Sequence, residues 1–211
     1  AGTFFAENAD PSALWSLGEE PISFYTDDVK SSWATGFNDV AIVMLAREGG
    51  EGVELYTKTP TEGISQLALS QDEKDLLAMI RDSGSFKKTV VLLNTGNPME
   101  VNWVEEYDVD AVLWIGCPGE KGFIGVANIL IGNANPSGKL TTTWAAFEEY
   151  PEMPDFEDMN ETRYREGIYV GYRYFDTFGI KPAFCFGYGL SYTDFSLKTE
   201  SVHVEKDEIY A

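Results

Sequence analysis

Glu51 stands in Ala46-Arg47-Glu48-Gly49-Gly50-Glu51-Gly52-Val53-Glu54, a stretch with three glycines within four residues that follows the apolar run Val40-Ala41-Ile42-Val43-Met44-Leu45. Glycine gives the backbone freedom and no side-chain cover. A carboxylate held between glycines therefore projects from an adaptable loop, a placement that suits proton transfer. Glycoside hydrolysis in its ordinary form needs two such groups: an acid that protonates the departing oxygen, and a nucleophile or base on the other face of the sugar. Glu51 is the candidate for the first role. Glu48 and Glu54 flank it as fallback acids, and Arg47 and Glu54 are the loop neighbours placed to touch a substrate. Acids are mostly solvated, so the spacing alone leaves a solvent-facing turn residue as the alternative.

Other chemistries find less support. The run Gly189-Leu190-Ser191-Tyr192-Thr193 fails at its last position as a nucleophile elbow, and the single histidine, His203, lies in an alternating, strand-like tail. The glycine loop follows neither dinucleotide nor P-loop spacing, and an acid inside it would repel phosphate. The acidic segment 148–161 lacks the spaced oxygen ligands of a calcium loop and reads as solvated surface. No metal and no cofactor are expected. Cys117 and Cys185 are far apart and outside any CxxC, so two buried free thiols are expected; they favour a cytoplasmic setting, with secretion as the alternative. A net charge of −20 opposes nucleic acid and anionic membrane surfaces, and no apolar run reaches the ~18 residues of a membrane span. The opening Ala1-Gly2-Thr3, without methionine, leaves room for a segment upstream.

The elements that must position Glu51 follow from the apolar pattern. After a short helix over 26–34, capped by Thr26, strands are predicted at 39–45, 89–93 and 111–115. Helices are predicted over 71–82, 99–106 and 120–131. The first of these three opens on a capping box of Ser70 and Glu73, sets Leu76, Leu77 and Ile80 on one face, and stops at Ser83-Gly84; the last closes at Gly132. Short apolar strands alternating with helices imply an α/β fold, an open, mostly parallel sheet with helices on both faces. Ligands of such sheets meet the loops at the carboxyl ends of the strands: here 46–63, 94–98 and 116–119, with Glu51 on the longest. Residues 139–144 read as an edge strand and 196–211 as an antiparallel strand pair.

Several segments, in fixed order, resemble glycoside hydrolase family 3, specifically its second, α/β-sandwich domain. Asn133-Ala134-Asn135-Pro136-Ser137-Gly138-Lys139-Leu140 is similar to that family's NPSGKLP-type turn, with Thr141 in place of proline. Gly167-Ile168-Tyr169-Val170-Gly171-Tyr172-Arg173-Tyr174-Phe175-Asp176 and Phe186-Gly187-Tyr188-Gly189-Leu190-Ser191-Tyr192 resemble two further signatures. Asn94-Thr95-Gly96-Asn97-Pro98 and Ser70-Gln71 fall where the family has comparable residues, and Gly49-Gly50-Glu51-Gly52 is similar to the SGEG loop of its bacterial and fungal β-glucosidases. The resemblance implies a sandwich of about five or six strands over residues 1–195, with 196–211 opening a fibronectin-III-like domain. It implies that Glu51 is the general acid/base of a retaining, exo-acting β-glucosidase acting on a β-glucoside or small oligosaccharide. It further implies a partner: a (β/α)8 barrel, in the same or a separate chain, that carries the nucleophilic aspartate. Such a barrel takes ~250 residues, so this chain is expected to hold half an active site. The alternatives are a β-xylosidase or arabinofuranosidase of the same family, and a non-catalytic sugar-binding module using the aromatics of 169–192.

Overall fold

The apolar run predicted as the first strand forms β1, Val40–Ala46, in which Ala41, Val43 and Leu45 are buried while Val40, Ile42 and Met44 face outward. The computed structural model describes residues 22–47, 58, 62–151, 160–161, 163–205 and 208–210. β2, Lys88–Asn94, buries Val91, Leu92 and Leu93 in succession. The sheet order explains this contrast. β2 lies between β1 and β3, Ala111–Trp114, and pairs in parallel with both, Ile42 opposite Val90 and Leu92 opposite Leu113. A central parallel strand packed on both faces reads as continuously apolar, whereas an edge strand covered on one face alternates.

Ahead of β1, α1 (Asp27–Trp33) starts where Thr26 accepts a hydrogen bond from the Val29 amide. The crossover from β1 to β2 carries α2, Gln71–Ser83, whose capping box forms in full, and Gly84 ends the helix in the left-handed conformation at φ 58°. Leu77 and Ile80 of its apolar face join Val43, Leu45, Val91, Leu93, Met99 and Trp103 in the core. The helix predicted over 99–106 shrinks to α3, Trp103–Glu106. Upstream of it the Glu100 amide donates to the Leu67 carbonyl instead of joining a helical ladder, and Met99 is fully buried. α4, Gly119–Leu130, follows β3 and gives way to Gly132 at φ 80°.

Beyond α4 regular structure thins. The predicted strand over 139–144 reduces to an antiparallel bridge between Trp144 and Phe184, extended by the Leu140 amide donating to Tyr188 and the Gly187 amide donating to Leu140. Two of the signature motifs are thus stitched together across nearly fifty residues. α5, Tyr172–Phe178, sinks Phe175 and ends at Gly179. In the tail, β4 (His203–Glu205) and β5 (Glu208–Tyr210) pair antiparallel, as the alternating pattern predicted. Among the described residues the parallel sheet has three strands, and no helix is long and apolar enough to cross a membrane. The cysteines depart from expectation: both thiols are free, but both residues are exposed. Each lies in connecting backbone, Cys117 in the turn after β3 and Cys185 beside the Phe184 bridge, and such segments run over the surface.

Candidate functional site

The three parallel strands end together at Ala46, Asn94 and Trp114. The loops that follow them make the carboxyl edge. Glu51, with Glu48 and Glu54, lies outside the described residues. What is described is the root from which that loop leaves.

Arg47, the first residue past β1, prolongs the strand pairing by donating its amide to the Asn94 carbonyl at 3.3 Å. Its side chain turns inward. The guanidinium makes a two-pronged pair with Glu73, Nη1 to Oε1 at 2.6 Å and Nη2 to Oε2 at 2.7 Å. Nε donates to the Gln66 carbonyl at 2.7 Å, Nη2 to the Ala68 carbonyl at 2.8 Å and Nη1 to the Ala46 carbonyl at 2.7 Å. Those bonds occupy all five donors of the fork. The pair is shut away from water, with side-chain exposures of 8% for Arg47 and 4% for Glu73. Arg47, a candidate for touching substrate by its place in the sequence, is here spent on the protein's own backbone and on Glu73.

Glu73 serves two structures at once. As the third residue of α2 it accepts from the Ser70 amide at 2.8 Å, while the Ser70 hydroxyl accepts from the Glu73 amide at 3.2 Å. Next to it, the Glu62 carboxylate accepts from the Gln71 amide at 3.1 Å with both oxygens. A carboxylate at these free amides also meets the positive end of the helix dipole. The capping box was legible in the sequence; the second use of Glu73 was not. The available signal was a glutamate on the core-facing side of an amphipathic helix, where an unpaired charge is not tolerated.

The neighbouring loops are held by backbone and indole bonds. Thr95, fully buried, accepts from the Asn97 amide at 3.0 Å, and the Trp114 indole donates to the Thr95 carbonyl at 2.6 Å. The Glu100 carboxylate accepts from the Phe147 amide at 2.8 Å, tying segment 144–150 to the loop after β2. Trp114 and Trp144 meet edge to face at 5.5 Å. Tyr150 donates to the Thr143 carbonyl at 2.9 Å, and burial raises its hydroxyl above the usual phenol range. The Trp144 indole nitrogen and Thr143 hydroxyl are buried without a hydrogen-bond partner among the described residues. Among the described residues no group of three or more His, Cys, Asp or Glu is arranged to hold a metal ion.

Comparison with known proteins gives this arrangement a context. Residues 27–192 match the family model described as the glycosyl hydrolase family 3 C-terminal domain. A β-glucosidase of Ruminococcus albus is 37% identical over 188 residues, which make up 88% of this chain and 19% of that protein. β-Glucosidase A of Butyrivibrio fibrisolvens is 35% identical, the match covering 78% of this chain and 22% of that protein. Among solved structures, β-glucosidase 3B from Thermotoga neapolitana in complex with α-D-glucose superposes with a TM-score of 0.72 at 36% identity, over 89% of this chain and 26% of that one. The chain thus spans about a fifth to a quarter of the length of the proteins it matches.

Proposed function

Because the chain belongs to glycosyl hydrolase family 3, as that family's C-terminal α/β domain, we propose that it supplies the proton-transfer side chain, Glu51, of a retaining, exo-acting β-glucosidase. The nucleophilic aspartate is contributed by a (β/α)8 barrel domain. In the first step, protonated Glu51 gives its proton to the glycosidic oxygen while the aspartate attacks the anomeric carbon; the C–O bond breaks and the aglycone leaves as an alcohol. In the second, the Glu51 carboxylate takes a proton from the water that attacks the glycosyl-aspartate ester. The sugar leaves with its configuration retained, and both carboxyl groups return to their starting states.

The observation that carries this reading is the root of the glycine loop at the carboxyl edge of the sheet. Arg47 is held there by the β1 ladder and by Glu73, and Glu51 follows four residues later. An extended chain spans roughly 3.3–3.6 Å per residue, so the root limits the reach of Glu51 to about 14 Å. The relatives named as β-glucosidases support glucosides as the substrate class.

The test uses the enzyme carrying this chain together with its barrel. Glu51→Ala is expected to cut kcat/KM for an alkyl β-glucoside by about 10²–10⁴-fold, the range for loss of a general acid. A 2,4-dinitrophenyl β-glucoside, whose leaving group needs no proton, should keep its first step nearly unchanged. Equal losses on the two substrates reject the assignment.

A further inference from the structure

The Arg47–Glu73 pair differs in burial from five other ion pairs among the described residues. Lys30–Asp27, Arg81–Asp82, Lys87–Asp39, Lys88–Asp110 and Arg163–Glu161 each leave both side chains at least 32% exposed, whereas Arg47 and Glu73 keep 8% and 4%. Burying two charges costs about as much as their attraction returns, and an apolar pair of similar volume often stabilises a fold as well or better. Stability is therefore a poor reason for such a pair. Geometry is a better one. A five-donor fork with all its acceptors in place fixes the relative position of everything it touches, and what it touches is specific.

Through its own backbone Arg47 belongs to the outgoing limb of the loop, through Gln66 and Ala68 it holds the returning limb, and through Glu73 it holds the first turn of α2. The returning limb is set further by the Leu67 amide donating to the Ser65 hydroxyl at 3.1 Å, and by the Leu67 carbonyl accepting from Glu100 at 2.9 Å. Both ends of the segment carrying Glu51 are thereby locked to one strand and one helix. The capping box needs only one carboxylate oxygen of Glu73, Oε2, which accepts from Ser70 and from Arg47 together; the other, Oε1, accepts from Arg47.

We propose that Arg47 and Glu73 are positioning residues for proton transfer, a paired clip at the loop root that sets where the acid/base carboxyl stands relative to the glycosidic oxygen. The inference rests on the reading of Glu51 given above. A misplacement of about 1 Å at a reacting group can cost on the order of 10²-fold in rate. Lysine at 47 keeps the charge but loses the planar fork, so it cannot serve Glu73 and both carbonyls together. Glutamine at 73 keeps an acceptor for Ser70 and loses the charge-assisted pair.

The experiment measures kcat/KM for an alkyl and a 2,4-dinitrophenyl β-glucoside in the barrel-containing enzyme with Arg47→Lys, Glu73→Gln or Glu51→Ala. The ratio of the two values cancels the fraction of folded enzyme. It is expected to fall at least tenfold in Arg47→Lys and in Glu73→Gln, in the same direction as in Glu51→Ala, with the basic limb of the pH–rate profile displaced. If a single variant does not fold, the apolar double Arg47→Met/Glu73→Met supplies the ratio. An unchanged ratio beside a collapsed one in Glu51→Ala overturns the positioning role alone. An unchanged ratio in Glu51→Ala overturns the acid/base reading and this inference with it.

Discussion

Two halves of the chain use apolar residues in opposite ways. In residues 40–114, strand and helix periodicity carries side chains into one core: Leu45, Leu77, Val91, Leu93 and Met99 are all at most 2% exposed. In residues 164–197 the aromatic density is higher, yet most large apolar groups remain outside, with Tyr164 at 88%, Tyr192 at 73% and Leu190 at 72%. There the rings meet one another instead. Tyr172 and Phe186 approach to 5.3 Å, Tyr174 and Phe178 to 5.1 Å, and Phe184 and Tyr188 to 4.6 Å. The lesson is that apolar composition does not decide burial. Regular elements project every second or third residue to one side, and so build a core from local pattern. A glycine-rich, irregular chain has no such period, and its order depends on distant backbone partners.

Core truncation gives the sharpest contrast. Leu77→Ala, removing a side chain 1% exposed, is expected to lower the unfolding free energy by about 2–5 kcal/mol. Leu190→Ala should stay within about 0.5 kcal/mol. Urea denaturation followed by tryptophan fluorescence checks both, and similar losses would erase the distinction between the halves. Gly189→Ala probes how the second half is held. A Cβ there would run into the Gly138 carbonyl oxygen, where Lys139 also donates to the Gly189 carbonyl. The expected loss is about 1–3 kcal/mol by overpacking, against a gain of about 0.5–1 kcal/mol for alanine at Gly125, which lies inside α4 with open space around it.

The smallest effect concerns the amino end of the sheet. Lys88 pairs with Asp110 at 2.5 Å and the Thr89 amide donates to it at 2.8 Å. Both hold its carboxyl below the usual range, the lysine bond more strongly. A carboxyl depressed by folding contributes stability above its unfolded value, near 3.9, and loses it as pH falls through the folded value. Asp110→Asn should therefore lower the melting temperature slightly at pH 7, and the gap from wild type should close as pH falls through and below the lowered folded value. A gap that widens in acid would refute the sign.

Much of the first half was legible in the residue order. Each of the three strands and the helices α1, α2 and α4 lie within a residue or so of their predicted bounds, because periodicity, the capping box of Ser70 and Glu73, and the terminal glycines 84 and 132 all act within a few residues. The predicted edge strand at 139–144 and the helix over 99–106 contracted because their backbones found partners far along the chain, Tyr188 and Leu67, which no local window contains. Of the candidate site, the proposed acid, Glu51, rests on residue type, on its glycine neighbours and on family resemblance.

Thus the order of residues determined the alternation of strand and helix, the stops and caps, and the loop on which Glu51 falls, since those depend on interactions a few positions apart. Tertiary structure alone decided that the sheet places β2 between β1 and β3, that both cysteines face outward, and that Arg47 closes on Glu73 across 26 residues. Such pairings depend on which surfaces remain to be covered once the elements have formed, and that is a property of the assembled sheet.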